Sequence, residues 1–243
     1  MICLLKFIAE IVGGRMSTYF VSDIHGEYDL FMRLLDEIKF SSDDEMIICG
    51  DAIDKGKQSV KLLSFIASVD RFKMIIGNHE YCFLKFYDSL MQSVDDADDV
   101  PYMIASYFPD CKRIDWDLLD YLESLPLYID REDFLCVHAG VELDEKGLIK
   151  KISEQMPQIL LTDRKFKEKS IINRDKTVLF GHTPCFYDNP SGRIIKTIGP
   201  NKSGNRFSDF SKVRLDCGVA FTGFLGVLRK EDMQEFYVGG EKK

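Results

Sequence analysis

Histidine is scarce in this chain of 243 residues, which contains only four. None is left for ordinary structural use, because each lies in a short motif of polar and small residues. The motifs are D-I-H-G at 23–26, G-N-H-E at 77–80, V-H-A-G at 137–140 and G-H-T-P at 181–184. Neutral imidazole and carboxylate are the ligands that borderline divalent metals prefer. This distribution therefore predicts that the chain binds metal.

Other absences exclude several classes of protein. The seven cysteines include no C-x-x-C pair, so a zinc ribbon lacks its spacing, and an odd number of thiols favours a reduced, cytoplasmic protein. Acidic residues outnumber basic ones by 40 to 32, and the formal charge of −8 disfavours nucleic acid as a partner. The sequence has no internal repeat and no low-complexity linker, which favours a single domain over residues 16–243.

The first fifteen residues are apolar, but they do not have the features of a membrane anchor or a signal peptide. Two charged residues interrupt the apolar stretch, which is too short to span a bilayer, and no small-residue cleavage site follows it. The four residues before Met16 could be encoded by a purine-rich, ribosome-binding-like stretch. We therefore expect translation to start at Met16 and residues 1–15 to be a non-native or disordered extension.

Five short apolar runs each end directly in a polar motif, which predicts buried strands whose carboxyl ends meet at one edge of an α/β fold. These runs are 19–21, 46–49, 73–76, 134–137 and 177–180. Apolar residues at helical spacing follow the first two runs, at 31–38 and 62–69. A helical insertion is expected at about 85–123. Further strands are predicted at 127–129, 193–197, 213–216, 224–228 and 234–238.

The residue types at these strand ends suit a pair of cations. Asp23 and His25 are two residues apart where a strand ends, so their side chains can point to the same side. Asp51 follows the next strand, and its carboxylate has two oxygens with which to bridge two ions. Further nitrogen and oxygen ligands are available from Asn78, His138 and His182.

The ordered set D-I-H-G, G-D-A-I-D-K-G, G-N-H-E, V-H-A-G and G-H-T-P resembles the metallophosphoesterase superfamily, specifically the phosphoprotein phosphatase family in its bacterial and phage-type form. The resemblance implies a β-sandwich flanked by helices, in α-β-β-α layers. It also implies two divalent metal ions, with Mn²⁺ favoured and Fe or Zn open. A hydroxide bridging the two ions would attack phosphorus.

The resemblance further implies a role for each motif residue. The implied ligands are Asp23, His25 and Asp51 for the first ion and Asp51, Asn78, His138 and His182 for the second. His79 would act as the general acid that protonates the leaving oxygen, and Asp54 would orient its imidazole. Asp51 would bridge the two ions.

Two phosphate-binding positions depart from the family pattern. Lys55 stands where the family usually has arginine, so a point charge replaces a planar fork that binds phosphate through two hydrogen bonds. Arg164 is assigned as the second phosphate-binding residue because it follows a short apolar run, although Thr162 and Asp163 replace the usual tryptophan-containing context. Both side chains are predicted to bind substrate.

The resemblance implies a metal-dependent serine/threonine protein phosphatase, with tyrosine phosphatase activity left open, and the cysteines favour a cytoplasmic location. The substrate would be a phosphorylated protein or a small phosphoester, with no nucleic-acid or membrane partner. A symmetrical diadenosine tetraphosphatase is the alternative, because it uses nearly the same motifs, although Thr183 and Pro184 favour the protein phosphatase. A third possibility, motivated by Lys55 and the surroundings of Arg164, is a phosphate-binding regulator with little turnover. The oligomeric state stays open.

Overall fold

Two five-stranded mixed sheets form the centre of the fold in a computed structural model that describes residues 16–105, 107–172 and 176–240. The first sheet contains β1 (Thr18–Val21), β2 (Glu45–Ile48), β3 (Phe72–Met74), β9 (Phe224–Arg229) and β10 (Glu235–Gly239). The second contains β4 (Tyr128–Asp130), β5 (Phe134–Val137), β6 (Thr177–Phe180), β7 (Ile195–Ile198) and β8 (Phe210–Arg214). The strand orders are β10-β9-β1-β2-β3 and β4-β5-β6-β8-β7. The predicted extension at 1–15 lies outside the described residues.

The helices cover the outer faces of the sheets or lie near the site. They are α1 (Tyr28–Glu37), α2 (Ser59–Ala67), α3 (Asn78–Met91), α4 (Val100–Ala105), α5 (Trp116–Ser124), α6 (Pro157–Thr162) and α7 (Val219–Thr222). Short 3-10 helices include Arg164–Glu168, Cys185–Tyr187 and Phe207–Asp209. Among the described residues, no helix combines the length and apolar character needed to cross a membrane.

Successive side chains along a strand point to opposite faces of the sheet and pack in different layers. In the first sheet, Phe20 and Ile47 point toward the second sheet and pack there with Phe134 and Leu179. The ring of Phe20 lies 5.0 Å from that of Phe134 in an edge-to-face arrangement. Residues of the opposite parity in β1 and β2 pack in a separate cluster with α1, α2, α3 and α5. Because each strand has two apolar faces, the sheets are covered on both sides, and the predicted α-β-β-α layers are confirmed.

The parallel pairs bring the motif-bearing strand ends together. β1 pairs with β2 and β2 with β3, all parallel, while β5 pairs with β6 in the second sheet, also in parallel. The strand predictions are confirmed within a few residues. β8 starts three residues before its predicted position. The strand includes the buried Lys212, a charged residue that an apolar pattern does not assign to a buried strand. The ammonium of Lys212 donates to the carbonyl oxygens of Phe166, Lys167 and Lys169, so a charged residue is accommodated in a buried strand.

Helical structure also begins earlier than the predicted insertion at 85–123. α3 starts at Asn78, and its N-cap Gly77 donates its backbone N–H to the Glu80 carboxylate at 2.9 Å. The G-N-H-E motif therefore forms the N-cap and first turn of α3, shortly after β3. The assignment of 16–243 to one domain with an insertion stays a prediction.

Candidate metal centre

The backbone at the strand ends is left-handed at most of the predicted site residues. Nine non-glycine residues have positive φ among those described, and six of them belong to the predicted site. These six are Asp23, His25, Asp51, Asp54, Lys55 and His182, with φ between 49° and 68°. Left-handed backbone at a non-glycine residue is uncommon, and it clusters at functional sites where the surroundings enforce it. The sharp turns let side chains from different strands point into one space.

Two motif glycines allow carboxylates to pack directly against the backbone. A Cβ added to Gly77 would lie 2.2 Å from Asp51 Oδ1, and one added to Gly181 would lie 2.1 Å from Asp23 Oδ2. No side chain larger than hydrogen fits at either place. The glycines that begin G-N-H-E and G-H-T-P are therefore explained by close approach of the acidic residues of the other motifs.

Asp51 lies at the centre of the site. Its Oδ1 is 3.4 Å from His138 Nε2, and its Oδ2 is 3.9 Å from His25 Nε2 and 3.8 Å from His79 Nε2. Burial alone would raise the pKa of Asp51, but the charge and hydrogen bond of His138, with the charges of His25 and His79, hold it well below its usual range. Asp51 is therefore an ionised carboxylate shared by imidazoles on both sides.

Backbone carbonyls orient two of the imidazoles. His25 Nδ1 donates to the carbonyl oxygen of Ile53 at 2.9 Å, and His138 Nδ1 donates to that of Cys49 at 2.8 Å. Each Nε2 consequently points toward Asp51. Such a hydrogen bond on the far ring nitrogen is the arrangement that fixes a histidine for metal binding. Burial alone would lower the pKa of His138, but the negative charges of Asp51 and Asp23 raise it to about 10. The two carboxylates therefore favour positive charge at the His138 ring.

His182 supplies the direct test of whether these residues fit a metal. Its Nδ1 donates to Asn78 Oδ1 at 2.7 Å, while its Nε2 is buried and has no hydrogen-bond partner among the described residues. Burial lowers the pKa of His182 to about 3, and the charges of His138 and Arg164 act in the same direction. The ring is thus neutral with a buried lone pair, which is the form that binds metal. The residues fit divalent cations.

Two groups of side chains have ligand atoms that all lie within 4.8 Å of one another: His25, Asp51 and His79, and Asp51, His138 and His182. Asp51 belongs to both groups, as expected of a bridge. Asp23 adjoins the first group, since its Oδ1 lies 3.9 Å from His25 Nε2, and its Oδ2 accepts from Ser22 Oγ at 2.5 Å and from the His182 backbone N–H at 3.0 Å. Burial and the charge of Asp51 raise the pKa of Asp23.

His79 has a partner that sets it apart from the other imidazoles. Its Nδ1 donates to Asp54 Oδ2 at 2.6 Å, and the Tyr107 hydroxyl donates to the same oxygen at 3.1 Å. Burial alone would lower the pKa of His79, but the hydrogen bond to Asp54 and the charge of Asp51 raise it above its ordinary value. A protonated Nε2 on a quarter-exposed ring is suited to giving a proton to a leaving group.

Lys55 and Arg164 line one cavity of about 130 Å³ together with His25 and His182. Arg164 NH1 donates to the backbone carbonyl of His182 at 3.3 Å. Lys55 Nζ donates to His25 Nε2 at 2.7 Å. Because that lone pair can serve only one partner, this hydrogen bond and a metal ion at His25 Nε2 exclude each other. The cavity therefore joins both predicted phosphate-binding residues to the candidate metal centre.

Glu80 and Tyr107 also belong to the site, although neither was predicted from the sequence. The buried Glu80 carboxylate accepts backbone N–H groups from Asp51 at 2.9 Å, Ala52 at 2.8 Å, Ile53 at 3.1 Å and Gly77 at 2.9 Å. It thus ties the Asp51 loop to the start of α3. Its place in G-N-H-E was a signal for this role, whereas nothing in the sequence brings Tyr107 to Asp54.

Comparison with known proteins gives a consistent family. The family model of the calcineurin-like phosphoesterases matches residues 16–215. The symmetrical bis(5'-nucleosyl)-tetraphosphatase of Vibrio campbellii is 34% identical over 128 residues, which cover 52% of this chain and 45% of that protein. The enzyme of the same name from Buchnera aphidicola is 34% identical over 99 residues, covering 37% of this chain and 36% of that protein. The chain spans about half the length of the curated relatives it matches.

Solved structures share the fold. A candidate diadenosine tetraphosphatase superimposes with a TM-score of 0.67 at 18% identity, covering 94% of this chain and 95% of that chain. A metallophosphoesterase from Sphaerobacter thermophilus superimposes with a TM-score of 0.56 at 15% identity, covering 95% of this chain and 90% of that chain. These similarities confirm the predicted metallophosphoesterase fold.

The prediction of a protein phosphatase with a phosphoprotein substrate is wrong, because the curated relatives are tetraphosphatases. The metal-ligand motifs suit both reactions, since each requires an attack on phosphorus, so they do not separate the two. Thr183 and Pro184 were a poor guide for a physical reason. Thr183 is buried, and Pro184 is the N-cap of the 3-10 helix Cys185–Tyr187 and lines the cavity only with an apolar ring, so the pair offers no exposed polar group that would distinguish the two substrates.

Proposed function

The chain belongs to the calcineurin-like phosphoesterase family, and on that basis we propose that it is a metal-dependent hydrolase that cleaves dinucleoside tetraphosphates symmetrically. The observation that carries the proposal is the cavity in which Lys55 and Arg164 accompany His25 and His182. Two cationic side chains beside metal-ligand histidines suit a chain of several phosphates. The named relatives support the same substrate class.

We assign the candidate ligands as predicted. Asp23, His25 and Asp51 would hold one ion, and Asp51, Asn78, His138 and His182 the other. When bound, two such ions lower the pKa of water and neutralise charge on the phosphate under attack. Manganese is the proposed metal because nitrogen and oxygen ligands with carboxylates suit it, with Fe or Zn as alternatives.

The protein's own residues would act on the two ends of the reacting bond. One water is consumed: its oxygen joins an inner phosphorus, the bond from that phosphorus to the central bridging oxygen breaks, and the bridging oxygen takes a proton. Two nucleoside diphosphates result. Arg164 and Lys55 would bind the phosphate chain, and His79, oriented by Asp54, would stand as the proton donor. Tyr107 would hold Asp54 in place through its hydroxyl.

The proposal includes a cytoplasmic location. It rests on the cysteines, of which Cys49, Cys136, Cys185 and Cys217 are buried and outside any disulfide in the described structure. A reducing compartment suits such thiols.

Product analysis tests the reaction. The Mn²⁺-loaded protein should convert diadenosine tetraphosphate to ADP alone, whereas asymmetric cleavage would yield ATP and AMP. Parallel assays on a phosphoserine peptide should show far slower turnover. The Arg164→Ala variant should raise KM for the dinucleotide, and Lys165→Ala, which removes an exposed neighbouring charge, serves as the matched control.

Faster turnover of the phosphopeptide, or ATP and AMP as products, would contradict the proposal. A protein that retains its metal and binds phosphate but turns over neither substrate would instead support the regulator. Elemental analysis of the purified protein checks the metal content in each case.

A further inference from the structure

Two exposed aromatic rings stand at the mouth of the cavity that holds Lys55 and Arg164. Tyr187 is 62% exposed and Phe221 is 64% exposed, and both line this cavity. Large apolar side chains left in water at a binding cleft are a common sign of a ligand contact. Neither ring takes part in the chemistry assigned to the metal centre.

A third aromatic residue holds both rings in place. The ring of Phe186 lies 4.6 Å from that of Tyr187 and 5.6 Å from that of Phe221. Phe186 in turn packs on Gly218, where an added Cβ would come within 2.6 Å of the ring. Phe221 belongs to α7, a single turn held at Thr222, whose Oγ1 donates to the Cys217 carbonyl at 3.0 Å. The rings are therefore ordered before any ligand arrives.

The cavity thus combines two chemistries. The ammonium of Lys55 and the guanidinium of Arg164 line it beside His25 and His182, and the rings of Tyr187 and Phe221 line it as well. A nucleoside polyphosphate has the matching arrangement, since a flat, weakly polar base is joined to a polyanion. A phosphoserine residue has the anion but no aromatic base joined to it. Base stacking on an aromatic side chain is worth roughly 1–3 kcal/mol, which is enough to select the nucleotide.

We propose that Tyr187 and Phe221 form a nucleobase-binding subsite that stacks the base of one nucleoside diphosphate half of the substrate while its phosphates reach the metal centre. This inference rests on the proposed function and deepens it by assigning the recognition of the nucleoside. Because stacking uses the π-face that every base has, the subsite should accept several bases.

The test compares two probes that differ only in the nucleoside. α,β-Methylene-ADP and methylenediphosphonate carry the same non-hydrolysable phosphorus groups, and calorimetric titration of the Mn²⁺-loaded protein measures the Kd of each. Wild type should bind the nucleotide more tightly. Tyr187→Leu and Phe221→Leu should each weaken nucleotide binding by roughly tenfold and leave methylenediphosphonate binding unchanged. Tyr102→Leu, an exposed aromatic outside the cavity lining, is the matched control and should change neither Kd.

Equal Kd values of the two probes for wild type would overturn the subsite, as would equal losses for both probes in the leucine variants. Both positions are exposed, so an unchanged Tm should confirm that the variants fold. Assays with diadenosine tetraphosphate separate this inference from the proposed reaction. Selective nucleotide binding without hydrolysis would refute the reaction and retain the subsite, whereas symmetrical hydrolysis with KM unaffected by either leucine variant would refute the subsite alone.

Discussion

Replacing Gly77 with alanine should displace Asp51, the carboxylate on which both candidate metal positions depend. Gly77 has φ −97° and ψ 177°, which alanine adopts freely, so the effect is steric. The new Cβ would lie 2.2 Å from Asp51 Oδ1 and 2.3 Å from the Asp51 backbone nitrogen. Ordinary contact begins near 3.4 Å, so Asp51 must move by about 1 Å, a displacement that can reduce catalysis on the order of 100-fold.

The same overpacking should cost about 1–3 kcal/mol of stability, or a fall in Tm of roughly 2–4 °C for each kcal/mol in a chain of this size. Initial rates with diadenosine tetraphosphate, metal content by elemental analysis and thermal unfolding would be measured together. Gly240→Ala is the matched control, because an added Cβ there meets nothing within 4 Å. Wild-type turnover and metal content in Gly77→Ala would refute the reasoning, since Asp51 would then tolerate displacement.

Three further substitutions probe the groups around Asp51. His79→Asn should slow hydrolysis of an alkyl phosphomonoester by about 10²–10⁴-fold but that of a dinucleoside tetraphosphate much less, because a phosphate leaving group is a weaker base than an alkoxide; equal losses on both substrates would contradict the proton-donor role. Glu80→Gln replaces one acceptor oxygen with an NH₂ group that faces two backbone N–H donors. The free energy of unfolding, measured with denaturant, should therefore fall by about 2–6 kcal/mol. An unchanged unfolding midpoint would contradict this. Tyr107→Phe removes the hydroxyl that holds Asp54 and should lower kcat by roughly two- to tenfold with KM unchanged. A shift in KM alone would point to substrate contact instead.

Much of the fold follows from local pattern. The short continuous apolar runs in β1 and β2 predict buried strands, because side chains on both faces of each strand are covered by other layers. The motifs sit where those strands end, so a shared edge could be predicted from residues close in sequence. The ligand types follow in the same way, since imidazole and carboxylate carry their chemistry wherever they lie.

Sequence pattern by itself therefore determined the strands and the set of candidate metal-binding residues, whereas the layered sandwich was implied by the resemblance to a known family. Only the tertiary structure decided that Tyr107 reaches Asp54 from 53 residues away, and that Tyr187 and Phe221 share a cavity with Arg164. The physical reason is the distance along the chain over which each effect acts. Strand periodicity and ligand identity act over a few residues, whereas a binding cavity forms from side chains that only packing brings together. In the proposed function the cavity selects the substrate, and the shared metal motifs carry no information about it.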